Sequence, residues 1–331
     1  MELRLEPLYE GGQVRKSVRL LAGVIVTLGL VLPATAEAQT ACTWQRTELP
    51  LPPGHSMPEV RGIGGDYAVG QINSPAPGIV RWHNGAATLI GLPTTEPDFF
   101  GAPIDVGADG TVLAALTPLT APGAGRPYVT KPDGTHKFLA DPAAGWAGTA
   151  VAINGRGDVV GYASGPEGVR IALWTGPDYG PPRLFGNTVP AGIDDSGVIV
   201  TRYGARYVTP GFAWPLAKPA GATGVYVQSY DNGLAVGWTT FNGGDHLLLW
   251  NPDGSLRYSL PDGLGYSANA QGTVLGTVSG SFDAHLWRAG LRVPLPDPSP
   301  LYYSTFVTGR DTLVGTYIEN STLRAAEWSC G

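Results

Sequence analysis

A repeat of about forty residues runs through most of this chain and limits the folds that it can adopt. The clearest copy reads AVAINGRGDVVG at residues 150–161, and after a loop it continues as IALW at residues 171–174. Each copy contains three short apolar segments and a fourth that follows a turn. Four short strands in a unit of this length are typical of a β-propeller blade, whereas helical repeats space their apolar residues by three and four.

The same frame occurs seven times, and two positions identify it in every copy. The first is an anchor after the second apolar segment, and the second is an aromatic residue 11 to 14 residues later. The anchors are Gly70, Ala114, Gly161, Thr201, Gly237, Gly276 and Gly315. The aromatic residues are Trp82, Tyr128, Trp174, Trp214, Trp250, Trp287 and Trp328. We interpret these rings as packing residues, one per blade, rather than as a sugar-binding array. The sequence therefore predicts an all-β, seven-bladed propeller with four-stranded blades.

The two ends of the chain are predicted to share the last blade. The seventh copy ends at Cys330-Gly331 without a fourth strand, while the strand-like segment at residues 43–51 has no unit of its own. If that segment completes the last sheet, the ring closes and no terminal blade needs a cap. Because Cys42 and Cys330 flank this junction, we expect a disulfide between them in an oxidising compartment. Acylation of Cys42, as in a lipoprotein, is disfavoured by Gln39, where that signal needs an aliphatic residue.

The N-terminus has the layout of a secretory signal peptide. Three basic residues between positions 15 and 19 precede an apolar stretch at residues 20–32, and the small-residue site Ala36-Glu37-Ala38 follows. This pattern predicts a cleaved signal peptide over residues 1–38 and a secreted, extracellular propeller over residues 39–331. We expect no stable membrane insertion after cleavage.

Two alternatives concern the same segment. It could be retained as an anchor, although thirteen apolar residues at about 1.5 Å each are too short for a hydrocarbon core of about 30 Å. Translation could also begin at Val14, because Glu2, Glu6 and Glu10 are acidic where a signal peptide works through positive charge.

Composition and charge exclude several classes of protein. Glycine (48) and proline (30) are abundant, but 43% apolar and 15% charged residues are enough for a packed core. The net charge is −6, and no cluster of Lys or Arg is present, so nucleic acid and anionic lipid are not expected partners. The five histidines are scattered and no zinc, calcium or nucleotide motif occurs, so we expect no metal or other cofactor. We expect a monomer.

The repeat units resemble the HAF-type extracellular repeat of exported bacterial proteins, whose consensus is close to A-x-x-I-N-x-x-G-x-V-V-G followed by A-F-L-W. The matching positions of the third copy are Ala150, Ile153, Asn154, Gly157, Val159, Val160, Gly161, Ala172, Leu173 and Trp174. The resemblance covers nearly all of residues 43–331, but the second and fourth copies lack the glycine. It implies an exported repeat fold and no established chemistry.

The loops between blades contain the candidate functional residues, because function on a rigid scaffold concentrates in its variable loops. We expect aromatic side chains there to bind an extracellular carbohydrate or protein without catalysis. The candidate ligand-binding residues are Phe100, Trp146, Tyr203, Tyr226, Phe241, Tyr266 and Tyr303. The alternative is a polysaccharide hydrolase or lyase that uses carboxylates at the channel mouth. Its candidate catalytic residues are Glu96, Asp98 and Glu167. A third reading is that these long loops only pack their own rings.

Overall fold

A computed structural model describes residues 43–330, except 95–97, 121–124, 210, 232, 282 and 297–298. The regular secondary structure of these residues consists of β-strands. Among them there is no helix long and apolar enough to cross a membrane. The strands are β1 (Trp44–Glu48), β2 (Ser56–Gly64), β3 (Tyr67–Ser74), β4 (Gly78–His83), β5 (Ala86–Ile90), β6 (Phe99–Val106), β7 (Val112–Pro118), β8 (Arg126–Thr130), β9 (His136–Phe138), β10 (Ala147–Ile153), β11 (Val159–Gly165), β12 (Gly168–Trp174), β13 (Arg183–Phe185), β14 (Pro190–Ile193), β15 (Ile199–Thr201), β16 (Ala205–Thr209), β17 (Phe212–Pro215), β18 (Tyr226–Asp231), β19 (Leu234–Phe241), β20 (Gly244–Trp250), β21 (Leu256–Pro261), β22 (Gly263–Ala268), β23 (Val274–Val278), β24 (Ala284–Arg288), β25 (Leu291–Val293), β26 (Pro300–Val307), β27 (Leu313–Glu319) and β28 (Thr322–Cys330).

The strands form seven antiparallel four-stranded sheets. Blades I to VI are β2–β5, β6–β9, β10–β13, β14–β17, β18–β21 and β22–β25, each in chain order, and blade VII has the order β26-β27-β28-β1. The first strand of each blade contacts the first strand of the next, and β26 of blade VII contacts β2 of blade I. The predicted all-β, seven-bladed propeller with four-stranded blades is therefore confirmed.

The inner strand of each blade contains an irregularity that explains the anchor glycines. In blades I to VI one residue of the inner strand has no pairing partner, as between Ala150 and Ala152 in blade III. Such a β-bulge bends the strand that contains it and increases its local twist. A Cβ at Gly161 would overlap the Thr149 carbonyl oxygen, and one at Gly237 would overlap that of Tyr226. Only glycine fits there.

The two copies that lack the glycine have a different partner at that position. Ala114 in blade II lies opposite Pro103, and Thr201 in blade IV lies opposite Pro190. Proline holds φ near −65° and cannot donate a ladder hydrogen bond. We infer that this local change in the inner strand leaves space for a Cβ, so the degenerate copies still form blades.

The repeat aromatics join neighbouring blades. Trp82, Trp174, Trp250 and Trp328 are almost completely buried, as is Tyr128. Three indole N–H groups donate to carbonyl oxygens of the segment that enters from the preceding blade. The pairs are Trp82 with Pro50 (2.6 Å), Trp174 with Ala140 (2.9 Å) and Trp250 with Ala217 (2.6 Å). Each of these rings therefore fills space between blades and also satisfies its polar group.

The prediction for Trp214 is wrong. This residue lies on β17, the outermost strand of blade IV, and is 64% exposed. The hairpin from β15 to β16 is tight, so Tyr207 lies opposite Ile199, as Trp174 lies opposite Val159 in blade III. The Tyr207 ring packs edge-on against Phe185 of blade III, with centroids 5.4 Å apart. The packing ring of blade IV is therefore Tyr207 on β16, whereas the spacing of the sequence predicted Trp214 on β17.

The asparagine of the repeat connects turns in successive blades. Asn154 Oδ1 accepts from the Asp158 backbone N–H (2.9 Å) within its own turn, and its Nδ2 donates to the Asp194 carbonyl (2.9 Å) of blade IV. Asn269 donates in the same way to the Thr308 carbonyl (3.0 Å) of blade VII. Both amides are buried. One side chain thus closes a turn and holds the next blade.

The N-terminal strand β1 completes the sheet of blade VII. It pairs with β28, and Trp44 lies opposite Cys330. Glu48 accepts a hydrogen bond from the Tyr317 hydroxyl, and the Arg46 guanidinium lies 4.7 Å from the centre of the Tyr317 ring. Burial and the Glu48 carboxylate raise the pKa of Tyr317 to about 12. Residues 1–38 and Cys42 lie outside the described residues, so the signal peptide and the disulfide stay predictions.

Exchange of two repeat tryptophans for alanine tests the corrected packing. Trp174→Ala should lower the free energy of unfolding by about 3 to 5 kcal/mol, because it empties a buried site between blades. Trp214→Ala removes an exposed ring and should change it by less than about 0.5 kcal/mol. Denaturant unfolding of both variants measures the difference, and equal losses would contradict the placement of Trp214.

Candidate binding site at the channel mouth

The inner strands surround a central channel. Its cavity has a volume of about 610 Å³ and reaches from the inner strands to the turns between the first and second strands of the blades. The unpaired bulge residues Arg61, Ile104, Val151, Ala191 and Gln228 line it. In blades I to V the bulge therefore directs one side chain toward the channel, and these side chains differ in chemistry from blade to blade.

The two ends of the channel differ in chemistry. Each inner strand starts at the face that carries the connections between blades, here called the loop face, and ends at the tight turns of the opposite face. In blade V the strand runs from Tyr226 through Gln228 to Asp231. At about 3.3 Å per residue, Asp231 lies roughly 10 Å deeper than Gln228. Blade V thus presents an aromatic residue at the loop face and a carboxyl group near the turns.

Four aromatic residues form a continuous row at the loop face of blades IV to VI. Tyr203 packs edge-on against Tyr226, with ring centroids 6.4 Å apart. Tyr226 contacts Trp238 at 4.4 Å, and Trp238 contacts Tyr266 at 6.2 Å. Tyr203 is 71% exposed, and the other three rings are partly buried. The four rings therefore form one cluster at the loop face, in which Tyr203 is the most exposed ring.

Arg202 lies between the aromatic row and the cavity. Its Nη1 donates to the Tyr226 hydroxyl (3.2 Å) and to the carbonyl (3.3 Å) and side-chain oxygen (3.4 Å) of Gln228. Its guanidinium carbon is 5.7 Å from the centre of the Tyr226 ring. Within the described residues, no carboxylate forms an ion pair with this guanidinium. Arg202 is therefore a partly buried cation held in place by neutral groups.

Asp105 is an acidic group inside the ring. Its two carboxyl oxygens accept hydrogen bonds from the backbone N–H groups of Val106 (2.9 Å) and Ile153 (3.1 Å), the second in the next blade. These bonds favour the carboxylate, but burial outweighs them and raises the pKa of Asp105 to about 8, with a further contribution from Asp231. At neutral pH this carboxyl is mostly protonated.

The candidate ligand-binding residues fall into several groups. Tyr203, Tyr226 and Tyr266 come together in the aromatic row. Phe241 instead contacts His246 with ring centroids 3.9 Å apart, and Trp146 packs against the core of blade III. The other two candidates lie on the inner strands of other blades. Phe100 is on β6 of blade II, and Tyr303, which is 58% exposed, is on β26 of blade VII.

Sequence reasoning missed Arg202 and Trp238, although a signal for them exists. Arg202 directly follows the anchor Thr201, and Trp238 directly follows the anchor Gly237. They occupy the same repeat position in neighbouring blades, on either side of Tyr226. A comparison of this one position across the seven copies would have marked them, together with Tyr162, as its three largest side chains.

The candidate catalytic carboxylates do not gain support from the described contacts. Glu96 lies outside the described residues. Glu167 lies in the turn between β11 and β12. Its side chain is 73% exposed and forms an ion pair with Arg170 at 3.4 Å. Asp98 precedes β6, where its carbonyl accepts from the Leu119 N–H at 2.8 Å. The described residues also include no group of three His, Cys, Asp or Glu side chains placed to hold a metal ion.

Comparisons with known proteins give a fold and no family. No protein-family model and no curated protein matches the chain. It is similar to the β-propeller domain of Cps50 (Swd1) from Myceliophteria thermophila, with 11% identity, a TM-score of 0.51 and coverage of 87% of this chain and 100% of that one. A puromycin-hydrolyzing peptidase of Mycobacterium tuberculosis has 14% identity and a TM-score of 0.53, over 83% of this chain and 51% of the peptidase. YCF48 bound to D1 peptide has 13% identity and a TM-score of 0.48, over 87% and 95%. The first two similarities show the fold of a β-propeller and nothing further.

The titration of Asp105 gives a testable pH dependence. The unfolded chain releases this proton near pH 3.8, whereas the folded chain keeps it to about pH 8. Between these two pH values the folded chain binds one more proton than the unfolded chain. The free energy of unfolding therefore falls as the pH rises through this range, by up to about 1.4 kcal/mol per pH unit. Asp105→Asn should remove that loss, so its unfolding free energy should depend less on pH between 5 and 8 than that of the unmodified protein.

Asp133→Asn is the control for this measurement. Asp133 is exposed, and its hydrogen bonds with Thr135 lower its pKa, so it stays ionised throughout that pH range in both states. Its substitution should leave the slope unchanged. A slope that is the same in all three proteins would argue against a protonated Asp105.

Proposed function

We propose that this chain is an exported, noncatalytic binding β-propeller whose aromatic row holds an extracellular glycan at the channel mouth. The observation that supports this most is the convergence of Tyr203, Tyr226, Trp238 and Tyr266 at the loop face. Arg202 and Gln228, which meet Tyr226, also line the cavity of about 610 Å³. Sugar rings stack on aromatic faces through their C–H groups, while nearby polar side chains bind the hydroxyl groups. Arg202 and Gln228 are polar groups of this kind.

The shape of the site favours a glycan over a protein partner. Pockets for small ligands have volumes of about 300 to 1,000 Å³, which includes this cavity. Stable protein interfaces bury about 800 Å² on each partner and are centred on a packed apolar patch. The large exposed apolar side chains Phe212 and Trp214 lie instead on the outer strand of blade IV, away from the channel. A concave mouth with rings along one side fits one or a few sugar units.

Binding by the mature protein to an oligosaccharide array, followed by calorimetry on the best probe, tests the proposal. The array should contain neutral and acidic plant, algal and bacterial oligosaccharides and peptidoglycan fragments. Tyr203→Ala and Trp238→Ala should each weaken binding at least about tenfold, because each removes a stacking surface. Tyr203 is exposed, so its loss should leave the fold intact, as the melting curve can verify.

Trp214→Ala is the matched control, since it removes an equally large exposed ring from a blade edge far from the channel mouth. Its affinity should equal that of the unmodified protein. The proposal fails if no oligosaccharide binds, if a protein ligand binds instead, or if the Trp214 variant loses as much affinity as the Tyr203 variant.

Export and a disulfide belong to the same proposal. The sequence at residues 1–38 supports a cleaved signal peptide, and export would place the chain where disulfides form. In the structure Trp44 lies opposite Cys330, and Cys42 is two residues before Trp44 in sequence. The disulfide would then join the two chain ends next to the pairing of β1 with β28.

Protein secreted from a bacterial host should begin at Gln39 and contain no free thiol by intact mass and thiol titration. Cys330→Ser should lower the melting temperature by several degrees at unchanged β content, because a cross-link across a long loop restricts the unfolded chain. An intact residue 1–38 segment in the secreted protein, or two titratable thiols in it, would argue against this part of the proposal.

A further inference from the structure

Arg202 presents one unused edge to the channel mouth. All three of its hydrogen bonds involve Nη1, and among the described residues neither Nε nor Nη2 has a partner. These two atoms are also not among the buried polar atoms that lack a hydrogen bond, unlike the Nε atoms of Arg170, Arg206 and Arg288. Because Arg202 lines the cavity and is only partly buried, its Nε–Nη2 edge is the part of the side chain left to meet a ligand.

The chemistry of that edge is specific. Nε–H and Nη2–H point in parallel, and a carboxylate can accept both hydrogen bonds at once. A hydroxyl group has a single oxygen and cannot form two parallel hydrogen bonds with this edge. Because Tyr226 and Gln228 already hold Nη1, the guanidinium is oriented before a ligand arrives, and less side-chain entropy is lost on binding.

The charge near Arg202 also favours an anion locally, although the whole chain carries −6. The partners of Arg202 are neutral, and Asp105 inside the ring is mostly protonated at neutral pH because burial raises its pKa to about 8. The other two carboxyl groups that line the cavity lie near the turns: Asp231 is at the far end of β18, roughly 10 Å deeper than Gln228, and Asp195 follows β14 and accepts from the Gly155 N–H. Arg61, the other cation lining the cavity, already pairs with Glu59 at 2.8 Å.

From these observations we propose that the channel mouth binds a carboxylated sugar, a hexuronic acid unit whose carboxylate forms a bidentate ion pair with the Nε–Nη2 edge of Arg202. This inference rests on the proposed glycan-binding function and names its ligand class. The pyranose ring then stacks on Tyr226 or Trp238, and Gln228 bonds a hydroxyl group. Arg202 and the aromatic row act on one sugar unit together.

The test compares each acidic oligosaccharide with its own neutral form. The probes are oligogalacturonate, oligoglucuronate and oligomannuronate, each also prepared with its carboxyl groups reduced to hydroxymethyl groups. We expect calorimetric binding of at least one acidic probe and at least about tenfold weaker binding of its reduced form, since the bidentate pair is lost. No substitution in the protein is needed for this comparison, so it does not depend on a variant that folds.

Two variants then locate the effect. Arg202→Lys keeps the charge but lacks the planar fork, and it should weaken binding of the acidic probe about tenfold with no change for the reduced probe. Arg257→Lys is the control. Among the residues that the structure describes, Arg257 bonds the backbone carbonyls of Ala270 and Gln271 at the opposite face, so affinity should not change.

Distinct results separate this inference from the function on which it rests. If neutral oligosaccharides bind as well as acidic ones, and Tyr203→Ala weakens them while Arg202→Lys does not, glycan binding stands and carboxylate recognition is wrong. If no oligosaccharide binds, both fail. Binding of a peptide with a free C-terminal carboxylate in place of every uronate would also overturn the inference.

Discussion

The β-bulge in the inner strand is the constraint on which the rest of the structure depends. At the bulge the inner strand lies so close to the second strand that Gly161 and Gly237 cannot carry a Cβ. In blades I to V the same bulge leaves one residue without a ladder partner, and that residue lines the channel. One backbone irregularity therefore accounts for both the most regular feature of the repeat and the most variable surface of the ring.

Contacts between blades convert seven similar sheets into a closed ring. The buried tryptophans supply apolar packing, and the indole N–H groups of Trp82, Trp174 and Trp250 also bond the incoming segment. The turns are joined in a similar way, because the side-chain amides of Asn154 and Asn269 donate hydrogen bonds to carbonyl oxygens of the next blade. At the junction of the chain ends, Glu48 and Arg46 of β1 bind Tyr317 of β27. Local repeat chemistry thus also specifies long-range contacts.

The candidate site exists because the blades are not identical. The position after the anchor is Arg202 in blade IV and Trp238 in blade V, whereas it is Thr277 in blade VI. Tyr226 is the cross-strand partner of Trp238 and the hydrogen-bond acceptor of Arg202, so the two repeat positions meet at one ring. Other side chains of the same strands form the core. A scaffold built from repeats can therefore vary such positions without a change in its core.

The sequence by itself determined the seven-bladed, four-stranded architecture, because that architecture follows from local features: the spacing of apolar segments, the tight turns and one large ring per unit. It could not locate Trp214 correctly, since a shorter hairpin in blade IV moves Tyr207 into the packing position, and hairpin length is not visible in the spacing of aromatics. Only the tertiary structure decided that Tyr203, Tyr226 and Tyr266 meet while Phe241 does not, and that Arg202 and Trp238 join them. Those residues belong to three different blades. The distances between them depend on how the bulged strands are arranged around the ring, and a single repeat does not contain that information.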